Sequence, residues 1–197
     1  MKKASLILFL ASISTILFPQ EFSKKVVIGV YTNIGVNQPI RFKQADDVFK
    51  FRGRGSYTMG VTFSRSVTEK IKINLGACYT VHKVAFDWTA EINTDNRMAT
   101  ETFDVFNIPI MFNRYFKKQY YCSFGTVIDF QFPRRPSFVD TQTGFGLSFG
   151  AGKEFSISNF ILDITPNIEI HSVIPFSSVE NQQRLVVFGL RIGLKNN

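Results

Sequence analysis

Residues 144–155 read Gly-Phe-Gly-Leu-Ser-Phe-Gly-Ala-Gly-Lys-Glu-Phe, so bulky apolar residues alternate with glycine and serine. A β-strand directs successive side chains to opposite faces, and this stretch therefore predicts a strand with one apolar face and one nearly bare face. The second face of a sheet in water normally carries Lys, Glu and Thr. Because glycine weakens an ordinary strand, a row of glycines needs a structural reason.

The same two-residue period recurs along the chain and predicts an all-β protein with eight strands. In each run one parity carries large apolar side chains, and the other carries mostly small or polar groups. Proline interrupts two runs, at Pro109 and Pro166, and since it lacks the N–H that pairs with a neighbouring strand, we expect a local bulge at each. The predicted strands cover residues 26–36, 56–65, 71–84, 103–115, 120–130, 144–155, 160–172 and 184–194.

The connections between these strands alternate between short and long. The short ones cover residues 66–70, 116–119 and 156–159, and the long ones cover 37–55, 85–102, 131–143 and 173–183. Short periplasmic turns and long external loops are typical of an outer-membrane barrel. With an even number of strands, both chain termini would lie on the periplasmic side.

Two closed barrels fit the pattern, and they differ in the direction of the apolar parity. A soluble, lipocalin-like barrel places it inside around a ligand, whereas a membrane barrel places it outside against lipid. An eight-stranded barrel is only just wide enough to be filled by side chains, so the many Phe, Ile and Leu residues would overfill it, whereas Gly, Ser, Thr and Asn fit. We therefore predict an eight-stranded antiparallel up-and-down transmembrane β-barrel, whose glycines line a crowded interior and whose closure pairs the backbone groups that lipid cannot satisfy.

The N-terminal residues 1–20 have a short basic start followed by an apolar run, which is the layout of a secretory signal peptide. A buried N-terminal helix is the alternative. We predict a signal peptide at residues 1–20 and one barrel domain at 21–197, exported to the outer membrane of a Gram-negative bacterium. Export permits disulfides, but Cys78 and Cys122 are predicted on opposite faces of non-neighbouring strands, so we expect two free cysteines.

The formal net charge of +8 is scattered along the chain. This pattern favours a basic, solvated periphery, with binding of acidic polysaccharide or anionic lipid head groups as the alternative. No basic and aromatic motif of a nucleic-acid-binding module is present, so we expect no nucleic-acid partner. The sequence also has no metal-ligand spacing, phosphate loop or nucleotide motif, and it predicts no cofactor.

Two consecutive strands resemble a known family. The stretch at 106–116, Phe-Asn-Ile-Pro-Ile-Met-Phe-Asn-Arg-Tyr-Phe, is followed by a Lys-Lys turn and by Tyr-Tyr-Cys-Ser-Phe-Gly at 120–125. This arrangement resembles the outer-membrane β-barrel domain family of Bacteroidota-type bacteria, often called PorT-like, and residues 144–155 and 187–194 look like later strands of that family. The resemblance implies an eight-stranded barrel in the outer membrane, and some members take part in protein secretion. The chain departs from many outer-membrane proteins at its end, Leu-Lys-Asn-Asn, because it lacks the terminal aromatic residue that the insertion machinery reads.

Four charged residues fall on the inner parity near the predicted periplasmic end. They are Lys72, Glu154, Asp163 and Arg191. Because an unpaired buried charge is costly, we expect a charge-balanced structural cluster. A proton or ion path is the alternative, although eight strands leave no continuous water channel.

Four further polar residues fall nearer the predicted outer rim. They are His82, Asp129, Glu169 and His171. Histidine beside carboxylates can act in general acid–base catalysis, and some small outer-membrane barrels modify lipid A. His82 and His171 lie on the third and seventh strands, however, and we expect them to be far apart, with Ser172 on the face opposite His171. We therefore interpret the four as polar rim residues and predict no catalytic residue.

The long loops remain as candidates for function. The loop at 37–55 is mainly basic and the loop at 85–102 mainly acidic, so they would pair with each other, or the basic loop would bind lipopolysaccharide phosphates. A protein partner at these loops is a further possibility. The sequence favours a non-enzymatic outer-membrane barrel with a role in envelope structure or in loop-mediated binding. The alternatives are an accessory of a PorT-like secretion system and, third, a lipid A-modifying enzyme.

Overall fold

The computed structural model describes residues 26–41, 49–88, 97–116, 119–132, 139–177 and 183–196. The predicted signal peptide and part of each long loop lie outside the described residues. No helix in these ranges is both long and apolar enough to cross a membrane. The strands are β1 Val27–Arg41, β2 Phe49–Ser66, β3 Ile71–Trp88, β4 Arg97–Tyr115, β5 Tyr120–Gln131, β6 Gly144–Ile157, β7 Phe160–Pro175 and β8 Gln183–Asn196.

The eight strands form one closed antiparallel barrel in which every strand pairs with its neighbours in sequence. The barrel closes where β1 pairs with β8, in a continuous register from Gly29 opposite Lys195 to Arg41 opposite Gln183. The predicted up-and-down topology is therefore confirmed. The predicted short connections are also confirmed, and the tightest joins β6 to β7 through Ser158, whose φ of 51° lies in the left-handed region.

The apolar parity of the strands faces outward. Ile34, Phe124 and Phe188 each expose more than half of their accessible surface, at 62%, 53% and 55%. The opposite parity is buried inside the barrel and includes Asn33 and Thr58. This arrangement excludes the soluble, lipocalin-like alternative, and an apolar band around a whole barrel is far larger than the patches that soluble monomers expose.

The glycines of β6 face the interior, as predicted, and the close approach of neighbouring strands explains them. A Cβ on Gly146 would lie 2.6 Å from the carbonyl oxygen of Ile170, and one on Gly152 would lie 2.6 Å from the ring of Tyr121. Any larger side chain would displace backbone at the first position or a buried tyrosine at the second. The glycine row therefore makes room for side chains that project from β5 and β7.

Aromatic side chains lie at both ends of the apolar band. At the short-turn end, the ammonium group of Lys153 lies 4.9 Å from the ring centroid of Tyr120. At the long-loop end, Phe176 packs against Phe130 and Phe145, with centroid separations of 6.1 and 5.0 Å. The strand between these ends, β5, has 12 residues, close to the roughly 9–11 residues with which a tilted strand crosses a bilayer. Aromatic girdles at this spacing are typical of membrane barrels.

The two prolines interrupt strand pairing without a bulge, so that prediction is wrong. On either side of Pro109, Leu75 pairs with Ile110 and Cys78 pairs with Asn107. The two pairs are three positions apart on β3 and three positions apart on β4. The pairing of β6 with β7 around Pro166 keeps its register in the same way. The missing proline N–H removes one hydrogen bond between the strands, but neither strand gains an extra residue relative to the other.

A real bulge lies in β2 between Gly53 and Gly55, where the register against β3 shifts by one residue. Gly55 has a φ of 135°, a conformation that favours glycine. The extra residue reverses the parity of β2, so that Phe51 faces inward and Arg52 faces outward. Parts of the predicted loops at 37–55 and 85–102 are consequently strand, and β2, β3 and β4 continue beyond the apolar band.

The interior of this extension is apolar. We call the following buried cluster the apolar cap: Val84, Phe103, Val105, Val139, Leu185 and Val187. Phe51 packs against it. The barrel therefore has a polar interior within the apolar band and an apolar cluster at its long-loop end, where Asn37 and Gln142 are also buried.

The two cysteines lie where the parity predicted them. Cys78 is buried on the inner face of β3, and Cys122 is exposed on the outer face of β5. Both are free thiols, which confirms the prediction.

Candidate functional site

A compact set of charged residues fills the short-turn end of the barrel. We call it the basal cluster: Lys72, Lys195, Glu154 and Asp163. The ammonium group of Lys195 lies 2.9 Å from Glu154 Oε1 and 2.7 Å from Asp163 Oδ2, and Lys72 lies 3.1 Å from Glu154 Oε2. The side chain of Lys195 is only 9% exposed, so a buried lysine lies between two buried carboxylates, and Lys72 supplies the second positive charge, at Glu154.

Hydroxyl groups complete the coordination of both carboxylates. The Tyr115 hydroxyl donates to Glu154 Oε1 at 2.8 Å. The Tyr121 hydroxyl donates to Asp163 Oδ2 at 2.7 Å, and the Thr165 hydroxyl donates to Asp163 Oδ1 at 2.7 Å. Buried charges are tolerated when their remaining hydrogen-bonding capacity is satisfied in this way, which supports a structural role.

Three of the four residues predicted for this cluster make these close contacts. The fourth, Arg191, precedes Lys195 by four residues on β8 and lines a cavity together with Asp163 and Lys195, with its guanidinium carbon 5.8 Å from the ring centroid of Tyr31. Lys195 was missed because the eighth strand was predicted to end at residue 194. It shares the parity of Arg191 and Gly193, so one more residue of strand would have identified it.

A second polar network crosses the barrel from β2 to β7, and we call it the Asp129 network. The Thr58 and Thr80 hydroxyls are 3.0 Å apart, and Thr80 donates to Asn107 Oδ1 at 2.6 Å. Asn107 Nδ2 donates to Asp129 Oδ1 at 2.7 Å. The other carboxylate oxygen, Asp129 Oδ2, accepts the backbone N–H of Ser172 at 3.1 Å and lies 3.2 Å from His171 Nδ1.

The two histidines meet inside the barrel, with ring centroids 5.1 Å apart. The prediction that they are far apart is therefore wrong, as is the prediction that they lie at an outer rim. His82 has no exposed surface, and its ring packs at a tilt of 37° against Phe103 of the apolar cap, with ring centroids 5.3 Å apart. Strands three and seven of an eight-stranded barrel face each other across its axis, and because the interior is one side chain wide on each side, residues from opposite walls touch.

The other two predicted rim residues also belong to the interior. Asp129 is fully buried. Glu169 is partly exposed at 19%, accepts a hydrogen bond from Asn167 Nδ2 at 2.8 Å, and lies 3.9 Å from His171 Nε2. All four predicted residues are thus close together, but beneath the apolar cap.

Ser172 does not lie on the outer face, so that prediction is also wrong. Two extra residues of β7 are accommodated between the pairs Leu147–Ile170 and Phe145–Ile174. This bulge gives Ser172 a φ of 50° and buries it completely, and its hydroxyl donates to the carbonyl of Thr143 at 3.2 Å. A hydroxyl that is buried and donates to a carbonyl is not arranged as a nucleophile beside a histidine base.

Two small cavities lie in the middle of the barrel. Arg191, Tyr31 and Pro109 line both cavities, of about 30 and 10 Å³. A water molecule needs roughly 10–15 Å³ of such volume, so the larger cavity has room for about two waters and the smaller for at most one. Among the described residues, no group of three or more His, Cys, Asp and Glu side chains is placed to hold a metal ion.

The fold, with its outward apolar band and filled interior, can be compared with known proteins. In sequence, no protein-family model and no curated protein matches this chain. In structure, the barrel is similar to that of the outer membrane protein OprG from Pseudomonas aeruginosa. The TM-score is 0.54 at 11% identity, over 87% of this chain and 93% of OprG. The attachment invasion locus protein Ail of Yersinia pestis, solved with the heparin analogue sucrose octasulfate, is similar over 87% of this chain and 99% of Ail, with 9% identity and a TM-score of 0.43. The fold of this chain is therefore that of an eight-stranded outer-membrane β-barrel.

The two histidines give a testable contrast. The ring nitrogens of both histidines make no hydrogen bond among the described residues, and an unpartnered buried polar group is unfavourable. His171 differs from His82 because its Nδ1 lies 3.2 Å from the Asp129 carboxylate. His82→Leu is therefore expected to raise the free energy of unfolding by about 1 kcal/mol. His171→Leu is expected to lower it by a similar amount, because Asp129 loses the imidazole next to it. Urea unfolding in phospholipid vesicles, followed by circular dichroism, measures both, and equal destabilisation by the two variants would contradict the assignment.

Proposed function

We propose that this protein resides in a bacterial outer membrane as a non-enzymatic barrel whose role is structural or depends on binding at its long-loop end. The observation that carries the proposal is the apolar band, which girdles a closed barrel and is bounded by aromatic residues. Lipid is the environment in which such a surface is stable. Residues 1–20 would be the signal peptide that directs export, and both termini would be periplasmic.

The filled interior argues for binding rather than transport or catalysis. The basal cluster occupies one end, the Asp129 network crosses the middle, and the apolar cap packs over His82. The binding site would then lie on the extension of β2, β3 and β4 and on the long loops. Lipopolysaccharide or a protein would be its ligand.

A role as an accessory of a PorT-like secretion system is a second candidate, supported by the resemblance of residues 106–125. Deletion of the gene separates the candidates, because loss of secreted cargo would favour the accessory role and unchanged export would favour the structural or binding role.

The membrane assignment itself is tested by fractionation and gel mobility. We expect the protein in the outer-membrane fraction, with a folded band on unheated detergent gels that shifts on boiling. In planar bilayers, the purified barrel is expected to show no steady conductance, since its interior is filled. Recovery in the soluble periplasm would overturn the assignment, and a stable open conductance would contradict the sealed interior.

A further inference from the structure

Arg191 is a cation of the barrel interior that lies outside the basal cluster. It is on the inner face of β8, four residues before Lys195, and pairs with Thr165 of β7 and Asn33 of β1. Its guanidinium group makes no hydrogen bond or ion pair with the residues that the structure describes, and it lies against the ring of Tyr31, 5.8 Å from the centroid. A guanidinium group always carries its charge and has five N–H donors. Inside a barrel, those donors need acceptors.

We propose that ordered water molecules fill the two cavities beside Arg191 and pair it with a carboxylate in each direction along the barrel. In the larger cavity, water bridges the guanidinium group to Asp163 of the basal cluster. In the smaller cavity, water bridges it to Glu169, which lies beside His171 of the Asp129 network. The charged groups of the interior are thereby connected from the short-turn end of the barrel to the residues beneath the apolar cap.

The positions of the two cavities support these bridges. The larger has a volume of about 30 Å³, and its lining includes Arg191, Asp163 and Lys195. The smaller has about 10 Å³, and its lining includes Arg191, Glu169 and Asn107. Each cavity therefore has the cation and a carboxylate on its wall, with a gap between them that suits water. A water that bridges two polar groups is enthalpically close to a direct hydrogen bond.

Amide oxygens without partners belong to the same cavity walls. Asn74 and Asn113 line the larger cavity and Asn33 lines the smaller, and none of their Oδ1 atoms accepts a hydrogen bond from a described residue. A guanidinium group only donates, and a carboxylate or an amide oxygen only accepts, so the ligand between them must do both. Water meets this requirement. A chloride ion only accepts and would lie beside a carboxylate, and a metal cation would lie beside Arg191.

The distribution of interior charges explains why Arg191 serves both directions. In the basal cluster, two lysines already lie against two carboxylates. Asp129 and Glu169 lie further along the barrel, and among the described residues His171 is the only basic side chain within ion-pair distance of either. Arg191 lies between the two groups, and its charge acts over a longer range in a low-dielectric interior than it would in water.

Nuclear magnetic resonance of the protein in lipid nanodiscs tests the water sites directly. We expect nuclear Overhauser contacts from water to the guanidinium protons of Arg191 and to the side-chain amide protons of Asn74 and Asn113, with the sign typical of immobilised water. Arg191→Met removes the donors but keeps a long side chain, and it should weaken the contacts at both asparagines. Absence of water contacts at Arg191 in the wild-type protein would overturn the proposal.

A double-mutant cycle tests the bridge to Glu169. Glu169→Gln keeps the shape of the side chain and removes its charge. We expect the unfolding equilibrium constants of Arg191→Met, Glu169→Gln and the double variant to depart from additivity by about threefold or more. Arg114→Met removes an exposed arginine of β4, and as the matched control it should combine additively with Glu169→Gln. Additivity in the Arg191 cycle as well would overturn the bridge.

The ion dependence of stability distinguishes water from a bound ion. Replacing chloride with gluconate at equal ionic strength, or adding a metal chelator, is expected to leave the urea midpoint of the wild-type protein unchanged. A lower midpoint without chloride would indicate a bound anion, and a lower midpoint with chelator a bound metal, and either result would overturn the proposal. These measurements and the wild-type resonance experiment do not depend on a variant folding.

Discussion

Replacing Lys195 with methionine is expected to lower the free energy of unfolding by about 3–5 kcal/mol, the range found when one partner of a buried ion pair is removed. Methionine fills a similar volume, so loss of charge rather than loss of packing dominates. Glu154 and Asp163 are only 8% and 4% exposed and both lie within 3 Å of the lysine ammonium group. Without it, two carboxylates remain buried beside each other.

Urea unfolding of the refolded barrel in phospholipid vesicles measures this change. Lys70→Met, which removes an exposed lysine at the same end, is the control and should change stability by less than about 0.5 kcal/mol. Adding Glu154→Gln and Asp163→Asn to the Lys195 variant should recover much of the loss, since neutral side chains no longer need a counter-charge. If Lys195→Met unfolds at the wild-type urea concentration, the basal cluster does not stabilise the barrel.

Replacing Asp129 with alanine is expected to cost about 3–5 kcal/mol, because it removes the acceptor of two buried hydrogen bonds and the carboxylate beside a buried histidine. Asn107 Nδ2 and the Ser172 N–H lose hydrogen bonds of 2.7 and 3.1 Å, and His171 loses the carboxylate 3.2 Å from its Nδ1. An unsatisfied buried donor costs roughly 1–3 kcal/mol. The Ser172 N–H is the most affected, since the β7 bulge leaves it without a strand partner.

Asp129→Asn provides a graded control. The amide retains one acceptor oxygen, so we expect a loss of about half that of the alanine variant. Hydrogen exchange at the Ser172 amide gives an independent readout, and it should accelerate in both variants relative to wild type. Unchanged protection of this amide in the alanine variant would show that Asp129 does not hold the bulge.

The sequence predicted the barrel well because a strand period of two does not depend on distant residues. The alternation of Phe145, Leu147 and Phe149 with glycine is visible in a few consecutive positions, and the volume of an eight-stranded interior then determines which parity faces outward. The same reasoning placed Cys78 inside and Cys122 outside without knowledge of their neighbours.

The errors arise where this local rule fails. A bulge inserts a residue and reverses the parity beyond it, so neither Phe51 nor Ser172 could be assigned by counting along its strand. The contact between the side chains of His82 and His171 depends on the diameter of the barrel rather than on their spacing in the sequence. Lys195 was missed for a simpler reason. The predicted eighth strand ended one residue before it, and strand ends are the least certain part of a pattern.

The composition of the apolar cap restricts the order of assembly. Leu185 and Val187 come from β8, the last strand of the chain, whereas Val84, Phe103 and Val105 come from its middle. The apolar cap is therefore complete only once β8 has paired with β1 and β7 and the barrel has closed.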